Sequence, residues 1–227
     1  RDSSTSRGLG DVYKRQLSSD LRVELSTDRA CYNPGQTVMF TADGDVPSNT
    51  IVRYRHGLTV VEEHKLNDVA KDNKWTWTPP STDFKGYMVD LYYPDNGNEV
   101  IIGTIAVDVS SDWTRFPRYG FVADFDNKNG SIDKDANIEA EMKYLNRLHI
   151  NGVQFQDWHW MHHEPVKFNG DGSLTQWYQD VSNRWVGIEY VKKYIEVQHS
   201  YGMKSIFYNL CFGAWKGAEN DLSLIHI

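Results

Sequence analysis

The residues best suited to chemistry lie in one dense run, DWHWMHHEP at residues 157–165. Its imidazole and carboxylate groups can hydrogen-bond to hydroxyls, and its indole rings can pack on the flat C–H faces of a sugar. The run therefore predicts a sugar-contacting loop, in which Trp158 or Trp160 stacks and His162 or His163 bonds to hydroxyls. The alternative is a loop whose aromatic residues simply pack against one another.

A metal site is a second alternative for the same run, because three histidines and one glutamate fall close together. However, the HExxH zinc signature is absent, and Trp160 and Met161 separate the polar residues. A calcium loop starting at Asp124 fits poorly, since Lys128 takes its fifth position and Gly130 falls one place late. We expect no metal and no cofactor.

Polar residues follow three candidate strands, at the point where each strand ends. Ligands of α/β proteins gather at the carboxyl ends of parallel strands, so these residues are expected to converge. Helix caps or turns are the alternative role for any one of them. The candidate substrate-binding residues are Asp124, Gln156, Asp157, Trp158, His159, His162, His163, Tyr208 and Asn209.

Several other active-site motifs are absent from the sequence. It contains no GxSxG, no glycine-rich phosphate loop and no CxxC. These absences disfavour a serine hydrolase, a P-loop enzyme and a thioredoxin-like redox role.

Residues 21 to about 109 have the periodicity of β-strands. Leu21, Val23 and Leu25 alternate with polar residues, and Pro34-Gly35 predicts a turn before the next strand. Regularly spaced short strands predict an Ig-like β-sandwich over residues 17–112. Within residues 31–40 that turn leads into the second strand, and further strands are expected at residues 51–54, 58–61, 75–77, 87–93 and 100–109, with a hairpin turn at 95–98.

After Asp112, strands alternate with helices. Ile138, Met142 and Leu145 mark one amphipathic helix, closed by Asn151-Gly152. A second helix carries Ile188, Val191 and Ile195 and stops at Gly202, and strands are expected at residues 120–124, 153–156 and 203–208. This order implies parallel strands with right-handed crossovers. Periodicity leaves open a doubly wound sheet or the first three units of a (β/α)8 barrel, which needs about 250 residues.

Bulk properties exclude several classes of partner. The 227 residues carry a net charge of −7, which disfavours nucleic acid and anionic membrane surfaces. No apolar run approaches the roughly 18 residues that span a bilayer. The two cysteines, Cys31 and Cys211, fall in different predicted domains, so no disulfide is expected.

Both ends of the chain have the sequence expected of translated library adapter. Residues 1–16 have neither helical nor strand periodicity, and residues 6–16 and 222–227 can be back-translated into the tag and mosaic end used in transposase-based DNA library preparation. We expect these segments to lie outside the folded protein. The domains are then expected at residues 17–112 and 113–221, and the natural start, signal peptide and C-terminus are expected to be missing.

Three segments together resemble family 66 of the glycoside hydrolases. They are RYGFVAD at residues 118–124, LNRLHINGVQFQDWH at 145–159 and YGMKSIFYN at 201–209. The resemblance covers nearly all of residues 21–221, and Asp157-Trp158, His162-His163 and Tyr208-Asn209 are its most specific part. Family members typically have Tyr-Asp-Trp where this chain has Gln156-Asp157-Trp158.

That family holds endo-dextranases and cycloisomaltooligosaccharide glucanotransferases. The resemblance implies an Ig-like sandwich before the truncated (β/α)8 barrel, and a secreted or cell-surface retaining hydrolase of α-1,6-glucan. In the family an Asp nucleophile and a Glu acid/base lie on later barrel strands. No catalytic residue is therefore expected in this chain, which by itself should be inactive.

Two other functions stay open. One is a transglycosylase that forms cyclic isomaltooligosaccharides. The other is a non-catalytic carbohydrate-binding surface protein, with an Ig-like module beside a degenerate barrel. The oligomeric state is not predicted.

Overall fold

The structure, a computed structural model, describes residues 21–210 and residue 220. The two segments expected to be adapter, and Cys211, lie outside the described residues. The chain divides into two units, Arg1–Phe116 and Pro117–Ile227. Most of the regular structure in the described residues is β-sheet, with few helices.

The first unit is built from two antiparallel β-sheets, one of three strands in the order β1-β2-β5 and one of four in the order β4-β3-β6-β7. A short helix, α1, connects two of the strands, and a 3-10 turn follows the last one. The elements are β1 (Glu24–Thr27), β2 (Val38–Asp43), β3 (Ile51–His56), β4 (Thr59–Lys65), α1 (Leu66–Val69), β5 (Lys74–Trp77), β6 (Lys85–Asp95), β7 (Asn98–Val109) and the 3-10 turn Trp113–Arg115.

Alternating side chains from both sheets of this unit form one hydrophobic core. Aromatic rings occupy its centre: Phe40 stacks on Trp75 at 5.1 Å between ring centroids, and Tyr54 stacks on Trp77 at 4.2 Å. The Trp75 indole nitrogen donates to the Tyr54 hydroxyl over 2.9 Å, so this buried polar pair is satisfied. The unit is therefore a two-layer β-sandwich.

The hairpin predicted at residues 95–98 is confirmed, but several strand bounds differ from the prediction by one to four residues. Asn96 and Gly97 both have positive φ, as a type I′ turn between β6 and β7 requires. The first strand begins at Glu24 rather than Leu21. The strand expected at 58–61 begins at Thr59 and continues to Lys65, because Leu58 lies in the turn beside Gly57 and is 93% exposed.

The second unit contains a three-stranded parallel sheet with β9 in the middle, in the order β12-β9-β8. An antiparallel hairpin, β10–β11, lies in the connection after β9. The elements are β8 (Tyr119–Val122), α2 (Lys134–Arg147), β9 (Gly152–Phe155), β10 (Trp177–Gln179), β11 (Trp185–Gly187), α3 (Ile188–Ser200) and β12 (Lys204–Phe207).

The two predicted helices of this unit are confirmed. The Asp133 side chain caps α2 by accepting from the Ala136 amide over 3.0 Å, and Ile138 and Met142 are buried. Helix α2 ends at Arg147 rather than at the predicted Asn151-Gly152, because His149 turns the chain in the left-handed region with φ 58°. No helix within residues 21–210 is long and apolar enough to cross a membrane.

The β10–β11 hairpin was not predicted, since one long loop was expected between β9 and α3. Trp177 pairs with Gly187, and Gln179 pairs with Trp185. Strands of three residues are too short for period-two alternation to identify them. This hairpin contributes directly to the cluster of residues at the strand ends.

Candidate functional site

The predicted strand-end clusters lie along one edge of the parallel sheet. The last residues of β8, β9 and β12 are in register, with Val122 opposite Phe155 and Phe155 opposite Phe207. Beyond them, the Gln156 amide donates to the Val122 carbonyl over 2.8 Å, and the Tyr208 amide donates to the Phe155 carbonyl over 3.2 Å. The structure thus brings the chain segments after all three strands together, as the parallel arrangement predicts.

Asp124, after β8, is largely exposed and forms an ion pair with a buried lysine. Its Oδ2 atom lies 2.6 Å from the Lys134 ammonium, whose side chain is only 3% exposed. Its Oδ1 atom accepts from the Asp126 amide at 3.2 Å. Lys134 is the first residue of α2. The start of this helix therefore fixes the position of the Asp124 carboxylate.

Asp157, after β9, adopts the left-handed conformation with φ 49° and is held by two donors. Gln156 Nε2 donates to its Oδ1, and Arg184 Nη2 donates to its Oδ2, both over 2.9 Å. Partial burial by itself would raise the pKa of the Asp157 carboxyl. The hydrogen bonds from Arg184 and Gln156 outweigh that effect and keep the pKa below its ordinary value.

Arg184 reaches Asp157 from the turn of the β10–β11 hairpin. Its Nε atom donates to Oδ2 of Asp180 over 2.8 Å, and the Asp180 side chain is almost fully buried. Asp180 Oδ1 also accepts from the backbone amides of Ser182 at 2.8 Å and Arg184 at 2.9 Å. Asp180 and Arg184 are not among the residues predicted from the sequence, although Ser182-Asn183 between them is a turn signal.

Trp158 is fixed by hydrogen bonds at both its backbone and its ring. The indole nitrogen donates to the Tyr208 carbonyl over 2.9 Å, and the Tyr178 hydroxyl donates to the Trp158 carbonyl over 2.8 Å. The ring packs edge-on against Phe207 at 4.7 Å. The indole N–H is therefore engaged with the backbone, and the half-buried ring surface is what Trp158 can offer a ligand.

His159 is fully buried, with 0% of its surface exposed. Its ring lies 5.1 Å from the Tyr208 ring and 5.9 Å from the His162 ring. Burial lowers the pKa of His159, and the nearby His162 lowers it further, against opposing effects of Tyr208 and Asp157. In this structure His159 packs behind the neighbouring rings. It has no exposed surface that a sugar hydroxyl could reach, so the predicted direct contact with substrate does not fit its position.

The rest of the 157–165 run forms a tight turn beyond Trp158. The Trp160 amide donates to the Pro165 carbonyl over 2.9 Å, and the Met161 amide donates to the Glu164 carbonyl over 3.0 Å. His162 and His163 are half-buried in this turn. At the third strand end, Tyr208 is half-buried and Asn209 is exposed.

Within the described residues, no three His, Cys, Asp or Glu side chains lie close enough to hold a metal ion. The loop considered for calcium has a different role for Lys128. Its ammonium lies 2.9 Å from the centroid of the Trp185 ring, a cation–π contact with the hairpin.

A cleft of about 660 Å³ opens beside the end of β8. Its polar lining combines carboxylates of Asp124, Asp126 and Glu141 with the Arg184 guanidinium, and Trp185 contributes an aromatic wall. Carboxylate acceptors, guanidinium donors and an aromatic ring are the groups that bind a hydroxyl-rich ligand. Among the candidate substrate-binding residues, only Asp124 lines this cleft within the described part of the chain.

Comparison with known proteins identifies the family. The model of Glycosyl hydrolase family 66 matches residues 27–224. The chain belongs to glycosyl hydrolase family 66. The resemblance stated from the strand-end segments is thereby confirmed.

Two groups of curated proteins resemble this family 66 chain. A cycloisomaltooligosaccharide glucanotransferase of Niallia circulans is 29% identical over 201 residues, which are 83% of this chain and 20% of that protein. A dextranase of Streptococcus salivarius is 27% identical over 150 residues, which are 64% of this chain and 17% of that protein. The chain spans about a fifth of the length of these relatives.

A solved structure of the same family shares the fold. It is the crystal structure of a Paenibacillus cycloisomaltooligosaccharide glucanotransferase in complex with cycloisomaltoheptaose. The match has a TM-score of 0.68 and 28% sequence identity, and covers 82% of this chain and 28% of that one.

Proposed function

We propose that the protein to which this chain belongs is a retaining glycoside hydrolase that cleaves internal α-1,6 linkages of dextran-like glucan. Family membership and the names of the relatives support this proposal. The observation that carries it in this chain is the strand-end edge, where Asp157, held by Arg184, lies beside the fixed ring of Trp158.

In this proposal the chain contributes substrate contacts and no catalytic residue. Trp158 offers a ring face to a glucosyl unit, and Asp124 and Asp157 offer acceptors for hydroxyls. Gln156, His162, His163, Tyr208 and Asn209 complete the proposed contact set. His159 is placed behind them as support because it is buried. The nucleophilic Asp and the acid/base Glu are expected on parts of the protein outside this sequence.

The proposed architecture follows from the same family. The first proposed domain, residues 17–112, would be an Ig-like sandwich, supported by seven strands in two antiparallel sheets. The second, residues 113–221, would be the first three β/α units of a (β/α)8 barrel. The sequential order β12-β9-β8 suits both a barrel and a doubly wound sheet, and family membership favours the barrel. We further propose secretion or display at the cell surface, where dextran is met.

Formation of cyclic products is the second candidate function. It is favoured by one specific observation: the relative that is 29% identical over 201 residues and the solved structure with a TM-score of 0.68 are both cycloisomaltooligosaccharide glucanotransferases. Hydrolase and glucanotransferase would share the same glucan contacts at the strand ends.

The complete protein incubated with dextran tests the proposal. An endo-dextranase releases linear isomaltooligosaccharides and new reducing ends, and a retaining mechanism gives products with the α configuration at first, as proton NMR detects. Rings without new reducing ends would establish the glucanotransferase instead. Binding of dextran without any product would establish a surface-binding protein and overturn both enzyme proposals.

This chain alone permits a narrower test. In native gels containing dextran, its migration should be retarded more than in gels containing starch or a β-1,4-glucan. Asp157→Ala together with Trp158→Ala should abolish the retardation. A doubly substituted chain that is retarded as before would remove the strand-end edge from the proposed binding site.

A further inference from the structure

The guanidinium of Arg184 has one terminal nitrogen that contacts neither of the carboxylates around it. Its Nε atom and one terminal nitrogen, Nη2, contact the carboxylates of Asp180 and Asp157. Its other terminal nitrogen, Nη1, forms no hydrogen bond with any residue in the described part of the chain. Because the side chain is 45% exposed and lines the cleft, the two N–H donors of Nη1 are open to a ligand.

Asp157 offers the matching acceptors. Each of its carboxylate oxygens accepts one hydrogen bond, from Gln156 or from Arg184. A carboxylate oxygen has two lone-pair sites, so each retains one. The carboxylate is 33% exposed, which leaves these sites within reach of a ligand.

The pair therefore presents donors and acceptors side by side in a fixed geometry. A hydroxyl both donates and accepts, so two neighbouring ring hydroxyls can accept from the guanidinium and donate to the carboxylate at the same time. Every internal unit of an α-1,6-glucan keeps its 2-, 3- and 4-hydroxyls free, and so offers such a vicinal diol on each ring.

We propose that Arg184 is a ligand-binding residue. Together with Asp157 it forms hydrogen bonds with two neighbouring hydroxyls of one glucosyl unit of an α-1,6-glucan. This inference rests on the proposed function and extends its contact set to the β10–β11 hairpin. Arg184 donates through Nη1, and Asp157 accepts.

Asp180 acts in this arrangement as a positioning residue. It is buried and binds both the guanidinium and the backbone amides of Ser182 and Arg184. Holding one edge of the planar guanidinium leaves the other edge directed away from Asp180. A lysine cannot reproduce this, since an ammonium lacks the fork that binds two carboxylates and a ligand together.

The first experiment measures binding of isomaltotetraose to the full chain by isothermal titration calorimetry. Arg184→Lys, which keeps a cation beside Asp180, should weaken binding about ten-fold, and Arg184→Ala should weaken it at least as much. The matched control is Lys193→Ala, which removes a cation from the α2–α3 ion pair with Glu139. The control should bind within about two-fold of the unsubstituted chain, and circular dichroism should show the same fold for Arg184→Lys.

The second experiment separates a direct contact from structural support. Monodeoxy isomaltotetraoses, lacking the 2-, 3- or 4-hydroxyl, are titrated against the unsubstituted chain and Arg184→Lys. If Arg184 donates to one hydroxyl, removing that hydroxyl should weaken binding to the unsubstituted chain about ten-fold, and should change binding to Arg184→Lys little.

The outcomes distinguish this inference from the proposed function. If Arg184→Lys binds every deoxy analogue more weakly than the unsubstituted chain does, and by the same factor each time, the role of Arg184 is structural. The inference is then wrong. The inference is also wrong if both Arg184 variants bind as the unsubstituted chain does. If the unsubstituted chain binds no isomaltotetraose at all, the proposed glucan site fails, and the inference fails with it.

Discussion

The two units of the chain bury different kinds of residue. In the first, the core is one cluster of apolar side chains centred on stacked aromatic rings. In the second, several charged or strongly polar side chains lie below the surface. The buried polar residues are Thr27, Thr50, Asp90 and Ser110 in the first unit, and Lys134, Asn146, His149, Asn151, His159, Asp180 and Gln198 in the second.

The buried polar residues of the second unit lie behind the proposed binding residues. Lys134 and Asp180 each fix an exposed partner at the strand-end edge, Asp124 and Arg184. His159 lies directly behind Trp158 and Tyr208. A buried charge is costly unless it is paired, so these residues stabilise the unit less than apolar ones would. They hold in place the groups that we propose to contact a ligand, whereas the core of the first unit consists of packed apolar side chains.

The largest effect is expected from a cavity in the first unit. Phe40→Ala should lower the free energy of unfolding by about 3–5 kcal/mol, because the ring is fully buried against Trp75. Urea denaturation followed by tryptophan fluorescence measures this. Leu58→Ala is the matched control, with an expected change within about 0.5 kcal/mol because Leu58 is exposed. Equal effects of the two substitutions would contradict the described core.

A smaller effect is expected from breaking the Lys134–Asp124 pair. Asp124→Ala should cost about 1–3 kcal/mol, since it leaves the buried ammonium without its carboxylate. The cost stays below that of a fully buried pair because water reaches Asp124. Lys134→Met should be neutral or stabilising, since it removes the buried charge itself. Urea denaturation of both variants tests this asymmetry. A greater loss of unfolding free energy for Lys134→Met than for Asp124→Ala would show that the buried ammonium stabilises the fold.

The third prediction concerns pH and the second unit. Burial lowers the pKa of His159 in the folded state, while the unfolded value is about 6.5. As the pH falls below about 6.5, the unfolded chain binds a proton that the folded chain does not, so folding becomes less stable. The slope should stay below about 1.4 kcal/mol per pH unit.

His159→Gln should flatten this dependence between about pH 7 and 5, as measured by urea denaturation at several pH values. Asp157 does not interfere in this window, because its lowered pKa confines its own contribution to lower pH. An unchanged slope in His159→Gln would show that another group titrates.

The smallest effect is expected on the outer face of the first unit. Arg53 binds Glu63 through Nε at 2.6 Å and Glu99 through both terminal nitrogens at 2.8 and 2.7 Å. Glu63→Gln should cost about 0.5 kcal/mol or less, and the difference should shrink in high salt. Thermal unfolding in low and high salt checks this. A loss of more than about 2 kcal/mol of unfolding free energy would show that this exposed network stabilises the protein as much as the Lys134–Asp124 pair does.

Much of the local structure follows from sequence patterns. The alternation around β1, the hairpin at Asn96-Gly97 and the apolar spacing of α2 and α3 depend on residues near one another in the chain. The β10–β11 hairpin was missed because its strands are too short to show a period. The end of α2 was placed too late because His149, and not a glycine, adopts the left-handed turn.

The sequence by itself determined the family, the order of most strands and of the two long helices, and the placement of Asp124, Asp157 and Trp158 at strand ends. Only the tertiary structure decided which groups hold them. Arg184 meets Asp157 across 27 residues of chain, Lys134 reaches back to Asp124, and His159 lies wholly inside. Local patterns set which residues share a face or a strand end. Contacts between distant segments depend instead on how the hairpin and helices pack, and on the left-handed turn at Asp157.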